Sequence, residues 1–239
     1  MTGWPITLEG ANSEKIAADM SSLGYGVIEN AVPPDALMQL RAFVESAVQA
    51  AGGEYVAFSG ADQVKGSLFW DIGKSPEFMA LCKDIYERGV GKTFGTHEFY
   101  QVLRCLSGAT GDRHGYYFHY DSYVITALIP VIIPEGDKTG DLIMFPNSRP
   151  TWKYYARNLV DKILLETALS QKILKYLTVR NMIKPLKVKL KPGNIYFFWG
   201  CRTLHANEPC DHSAIRSTAL FHIVDPYETS SLRKRLGRA

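Results

Sequence analysis

Cysteine is scarce in this chain, and nothing pairs it. Cys82, Cys105, Cys201 and Cys210 are spread over 239 residues with no C-x-x-C among them, which is too few for a disulfide framework and poorly spaced for a metal-thiolate site. Long apolar runs are also lacking. No uninterrupted stretch would cross a bilayer, and the opening residues MTGWPITLEGANSEK hold no basic region followed by an apolar one. Internal repeats and low-complexity tracts are missing. The expectation left by these absences is a soluble, unexported, cytoplasmic protein with reduced thiols. What is present, 46% hydrophobic and 12% aromatic residues, suffices for one large domain with a sizeable core.

Acidic charge is thin in one place. Between Trp152 and Lys191, ten lysines and arginines face only Asp161 and Glu166, a local +8 in a chain of net +3 that leaves −5 elsewhere. The tail SSLRKRLGRA adds Arg233, Lys234, Arg235 and Arg238. Such asymmetry suits an anionic partner, whether phosphate, membrane surface or acidic substrate, and equally a solvated helix face with a frayed tail. No nucleic acid is expected, and the sequence does not fix an oligomeric state.

Helical periodicity fills the first third. A helix capped near Ser13 and stopped at Gly24 precedes a short strand at Gly26 to Ile28. PPDALMQLRAFVESAVQAAGG is a stronger helix, opened by proline and closed by Gly52 and Gly53, and SPEFMALCKDIYERGV is a third. From His97 the texture changes to strands in HEFYQVLRCL, YYFHYD, YVITALIPVII, DLIMFP, LKVKL, NIYFFWG and STALFHIV. Helices first and strands afterwards predict an α+β chain, an all-β core with helices outside it. The basic segment interrupts the strands, with Leu165, Leu169, Ile173 and Leu177 recurring every four residues like one side of a helix.

Inside GYYFHYDSYVITALIP, His119 and Asp121 stand one residue apart. On an extended segment they point to the same side. A carboxylate there needs a compensating partner, because an unpaired buried charge is costly. Downstream, KPGNIYFFWG makes a turn and a buried strand, His205 follows, and Arg216 comes eleven positions later with Thr218 on the same strand face.

H-x-D, a distal histidine and an R-x-T at this spacing resemble the iron(II)- and 2-oxoglutarate-dependent oxygenases. GYGVIENAVPPDALMQLRAF is similar in style to their phytanoyl-CoA hydroxylase-like branch. The resemblance implies a double-stranded β-helix, a cupin-like jelly roll, with His119, Asp121 and His205 as the facial metal set. It implies Fe(II), 2-oxoglutarate and O2 as cofactor and cosubstrates. Arg216 would grip the far carboxylate of 2-oxoglutarate bidentately, helped by Thr218 and by Gln101. Succinate and carbon dioxide would be released as a small or lipid-like, possibly anionic, substrate is hydroxylated. The expected layout is a single domain over 1–239: helical flank 1–95, jelly roll 96–226, basic helical insertion at about 152–184 and basic tail 227–239.

Other residues are candidates for the substrate pocket. Gln101 and Arg104 have opposite parity on one strand, so only one of them can face it. Tyr123 shares the parity of His119 and Asp121. Where relatives carry a Gly-Ser-His element, this chain has Asn147, Ser148 and Arg149, which makes Asn147 and Arg149 further candidates. His114 and His212 read as loop residues, and His97 and His222 as structural. The basic insertion reads as a lid over an anionic substrate or as a helix packed on the barrel. The competing readings are a cupin-type metal-dependent isomerase, which has no use for Arg216, and a non-catalytic jelly roll that binds anionic surfaces. A halogenase is disfavoured by the carboxylate of Asp121.

Overall fold

The computed structural model describes residues 5–108 and 115–236, so His114 and Arg238 lie outside the described residues. Helix α1 (Ser13–Ser22) begins where the Asn12 side chain accepts the Lys15 N–H, one residue before the expected cap. Proline at the first positions opens α2 (Pro34–Ala50). After a 3₁₀ turn at Ala61–Val64 come α3 (Leu68–Gly73) and α4 (Pro76–Val90), the latter capped by Ser75 and ended by Gly91 at φ 69°. Their apolar faces bury Met20, Leu40, Val44, Phe69, Phe78 and Ile85. Among the described residues no helix is long and apolar enough to cross a membrane.

Among the described residues nine strands follow one another: β1 (Gly26–Ile28), β2 (Val56–Ser59), β3 (Tyr100–Leu106), β4 (Ile125–Ile132), β5 (Leu142–Phe145), β6 (Leu186–Val188), β7 (Ile195–Trp199), β8 (Leu204–Asn207) and β9 (Arg216–Ile223). They form an antiparallel six-stranded sheet, β1-β7-β4-β9-β3-β2, and a three-stranded sheet, β6-β5-β8. Strand parity assigns the faces of the larger sheet. Leu103, Ala127, Phe197, Trp199, Ala219 and Phe221 pack against the helices. Leu128, Tyr196 and Phe198 face the other way and pack with Leu142, Met144 and Val188 of the smaller sheet. The larger sheet is therefore buried on both sides, which is why IYFFW reads as a continuous apolar run. The result is the expected α+β double-stranded β-helix.

Two local readings change. YYFHYD forms no strand of its own, and Tyr116 at its start adopts φ 56°. His119 instead makes an isolated antiparallel bridge to His205. The basic insertion is two helices, α5 (Tyr155–Leu165) and α6 (Ala168–Val179), the second opened by the Thr167 cap. Leu165 and Leu174 pack onto Phe118, Ile143, Leu204 and Ala206, whereas Leu169 and Ile173 are 69% and 48% exposed. The break at Glu166 and Thr167 rotates the second helix, so the four-residue leucine spacing does not mark its buried side. A short helix, α7 (Ser231–Leu236), closes the described chain against α5.

Candidate metal centre

His119 and His205 reach each other by a reciprocal pair of backbone hydrogen bonds, His119 N–H to His205 O at 3.0 Å and His205 N–H to His119 O at 3.1 Å. Each ring then turns its Nδ1 to the carbonyl two residues earlier, Tyr117 O at 3.1 Å and Thr203 O at 3.0 Å. A carbonyl only accepts, so Nδ1 carries the hydrogen in both rings and the lone pair is left on Nε2. Both Nε2 atoms face Asp121 Oδ1, at 3.8 and 3.7 Å. The three ligand atoms lie within 4.8 Å of one another. Two lone pairs and a carboxylate oxygen converging on one point repel unless a cation sits between them. With nitrogen and oxygen donors and no thiolate, the set fits Fe(II).

The second carboxylate oxygen is held from behind. Thr126 donates to Asp121 Oδ2 at 2.5 Å, and its hydroxyl lies 3.0 Å from His222 Nδ1. Asp121 N–H donates to Gly200 O at 3.1 Å. A Cβ at residue 200 would come within 2.5 Å of Thr126 Oγ1 and 2.7 Å of Asp121 Oδ2, so only glycine admits this carboxylate. Burial raises the Asp121 pKa, but the surrounding histidines and the Thr126 hydroxyl outweigh it and hold the group ionised. Burial, with His205 and Arg104 adding to it, pushes His119 down to about 3, so its ring is neutral at physiological pH, as a ligand must be.

Arg216 is a further buried charge. It is 1% exposed and donates from Nε to Gly140 O and from Nη2 to Asn207 Oδ1, both at 2.8 Å. Burial lowers its pKa to about 10, which still leaves it protonated. Its hydrogen-bond partners are neutral, and the nearby Asp141 carboxylate is bridged to Lys187 instead. An interior guanidinium without a counter-anion is costly. Thr218, two residues on and 3% exposed, shares its strand face.

A cavity of about 310 Å³ opens beside the triad. Tyr55, Tyr100, Tyr117 and Tyr123 line it, together with Arg104, Lys162, Glu166 and His222. Tyr123, Tyr100 and His222 form a cluster of stacked rings, with Tyr123 at centroid distances of 5.6 and 5.5 Å from the other two and those two 6.3 Å apart. Arg104 lies opposite Thr218 in the sheet.

The other candidates lie elsewhere. Gln101 faces the helices, and a Cβ on Gly73 would overlap its amide, so the parity choice falls to Arg104. The Asn147 side chain donates to Met20 O and Ser21 O, which ties the loop after β5 to α1. Arg149 donates to Cys201 O and Asn158 Oδ1 with its guanidinium 3.8 Å over the Tyr120 ring, which staples α5 to the barrel. Lys172, Lys175 and Arg180 point to solvent, and Lys162 and Glu166 are the insertion's contribution to the cavity. His222 and Thr126 escaped the sequence reading. His222 shares the parity of Arg216 and Thr218, which was the available signal.

No family model matches the chain, and no curated protein matches it. Solved structures do. A prolyl hydroxylase from Trichoplax adhaerens, in complex with a hypoxia inducible factor peptide, superposes with TM-score 0.61 at 14% identity over 92% of each chain. The chain has the fold of the iron(II)- and 2-oxoglutarate-dependent oxygenases. A Pseudomonas putida prolyl-4-hydroxylase shares it at TM-score 0.54 and 15% identity, over 93% of this chain and 97% of that one. So does the non-heme alpha ketoglutarate dependent epimerase of nogalamycin biosynthesis, at 0.55 and 16%, over 89% and 82%. Strands β2, β3 and β9 line the cavity that His119 and Asp121 border.

Proposed function

We propose that the chain is an Fe(II)- and 2-oxoglutarate-dependent dioxygenase that hydroxylates a small or lipid-like substrate bearing an anionic group. The observation that carries this reading is the meeting, within one barrel, of an imidazole–carboxylate–imidazole set and a buried guanidinium whose partners are all neutral. His119, Asp121 and His205 would hold the iron, which when bound supplies the oxidation of 2-oxoglutarate to succinate and carbon dioxide coupled to attack on a C–H bond. Arg216 receives the far carboxylate of 2-oxoglutarate, and its two fixed hydrogen bonds orient the fork beforehand. Thr218 adds a hydroxyl donor on the same face. Thr126 and His222 keep Asp121 ionised and aimed.

The substrate class follows from the cavity lining. Tyrosine rings offer flat amphipathic walls. The Arg104 side chain lines the cavity without a hydrogen bond or ion pair to another side chain among the described residues, and Lys162 is held by Ser122 at 2.9 Å. With Asp121 committed to the metal, two cations against Glu166 favour an anionic substrate group. The test is anaerobic loading with Fe(II), then oxygen and 2-oxoglutarate with a panel of small acids and lipids. The reading expects succinate in step with a product heavier by one oxygen atom. Iron bound in full with no succinate from any mixture would overturn it. Product of unchanged mass with succinate formed would replace hydroxylation with another C–H outcome.

A further inference from the structure

We propose that the outward side of α5 and α6, continued by α7, docks onto a bilayer of anionic lipids. This inference does not depend on the reaction proposed above. Single exposed apolar side chains are ordinary, but a contiguous group of them marks a contact surface. Eleven of the fifteen large exposed hydrophobic residues among the described ones fall on the segment from Tyr154 to Met182 and on α7. On α5, Val160, Ile163 and Leu164 share one side at positions i, i+3 and i+4 and are 53%, 51% and 61% exposed. On α6, Leu169, Ile173 and Tyr176 do the same at i, i+4 and i+7, at 69%, 48% and 57%. The opposite side of each helix already packs on the barrel through Leu165 and Leu174, so this is a second apolar face.

Charge selects the occupant. Lys172, Lys175 and Arg180 stand among the apolar residues of α6, and that helix has no acidic residue. The one acid of α5, Asp161, is taken up by Arg149 and Trp152. Helix α7 adds exposed Leu232 and Leu236 beside Lys234 and Arg235. A second copy would bring the same cations face to face and be repelled. Apolar side chains interleaved with lysine and arginine suit the boundary of an anionic bilayer, where the aliphatic groups enter the acyl region and the cations meet headgroups. Docked this way, α5 would hold the cavity lined by Lys162 and Glu166 beside the lipid.

The test is co-sedimentation of the full chain with vesicles of equal parts phosphatidylglycerol and phosphatidylcholine, against phosphatidylcholine alone. The chain pellets with the anionic vesicles and is released as salt rises. Each surface cation accounts for about a fivefold change in partitioning, so K172E/K175E/R180E lowers it by roughly 100-fold or more. L169S/I173S/Y176S lowers it comparably by removing the apolar anchors. Both variants unfold at the wild-type temperature, because the altered side chains are exposed. Three outcomes would overturn the proposal: no pelleting at low salt, pelleting that neither variant changes, or a vesicle-free dimer that the apolar variant converts to monomer.

Discussion

His119 and His205 hold each other by their backbones, with ring centroids 4.3 Å apart. The bridge uses main-chain atoms alone, so it survives the loss of either imidazole. Apo His119→Ala and His205→Ala therefore unfold within a few degrees of the apo wild type, while bound Fe(II) or Mn(II) falls from one per chain toward zero. Metal analysis after gel filtration, paired with thermal melts in chelator, checks both parts. Full metal occupancy in both variants would remove the triad.

The Thr126 hydroxyl fixes the rear oxygen of Asp121, and such supporting contacts set metal affinity through the orientation of the ligand. Thr126→Val keeps shape and removes the donor, so metal binding weakens by about 10- to 100-fold. Titration against a competing chelator reads this directly. Thr126→Ser, which keeps the hydroxyl, restores most of the affinity, and a merely packing role for Thr126 would not produce that rescue.

Gln171 of α6 completes the segment that carries His119. Its amide accepts the Phe118 N–H and donates to Phe118 O, both at 2.8 Å. Phe118 is fully buried, so Gln171→Leu leaves two interior backbone groups unpaired and costs about 1–3 kcal/mol for each. Urea unfolding of the apo form measures the loss. A change below ~0.5 kcal/mol, the usual range for an exposed surface site, would make the insertion an ornament on the barrel.

The chemical core was legible because the facial set depends on residue type, order and parity, all of which a sequence displays. H-x-D, His205, Arg216 and Thr218 met those conditions, and NIYFFWG read as a buried strand. The rest depended on three-dimensional partners. Gln101 and Arg104 were equal on paper until the packing of Gly73 against β3 gave the helix side to Gln101. Asn147 and Arg149 looked like pocket residues, yet they hold α1 and α5 to the barrel through hydrogen bonds that no spacing reveals. His222 had the right parity, but Thr126, the residue that joins it to Asp121, sits on another strand.

Cys82 and Cys105 are buried thiols. Burial pushes Cys105 up to about 11 from its ordinary 9.0 and Cys82 further still. The folded chain keeps these protons to higher pH than the unfolded chain does. Their contribution to stability is thus present below pH ~9 and is lost as pH rises toward 11. At pH 8 iodoacetamide should leave both unmodified in the native protein and label both in urea, as mass spectrometry of the peptides would report.

Arg216 carries the choice between an oxygenase and any other metal-binding jelly roll, so the most direct measurement is calorimetric titration of 2-oxoglutarate into Mn(II)-loaded protein without oxygen. Binding should require the metal and weaken by roughly 30-fold to several thousand-fold in Arg216→Ala, the equivalent of about 2–5 kcal/mol for a desolvated charge pair. Arg216→Lys should fall between, keeping the charge and losing the fork. Identical titrations of wild type and Arg216→Ala, with the metal bound in both, would contradict the account.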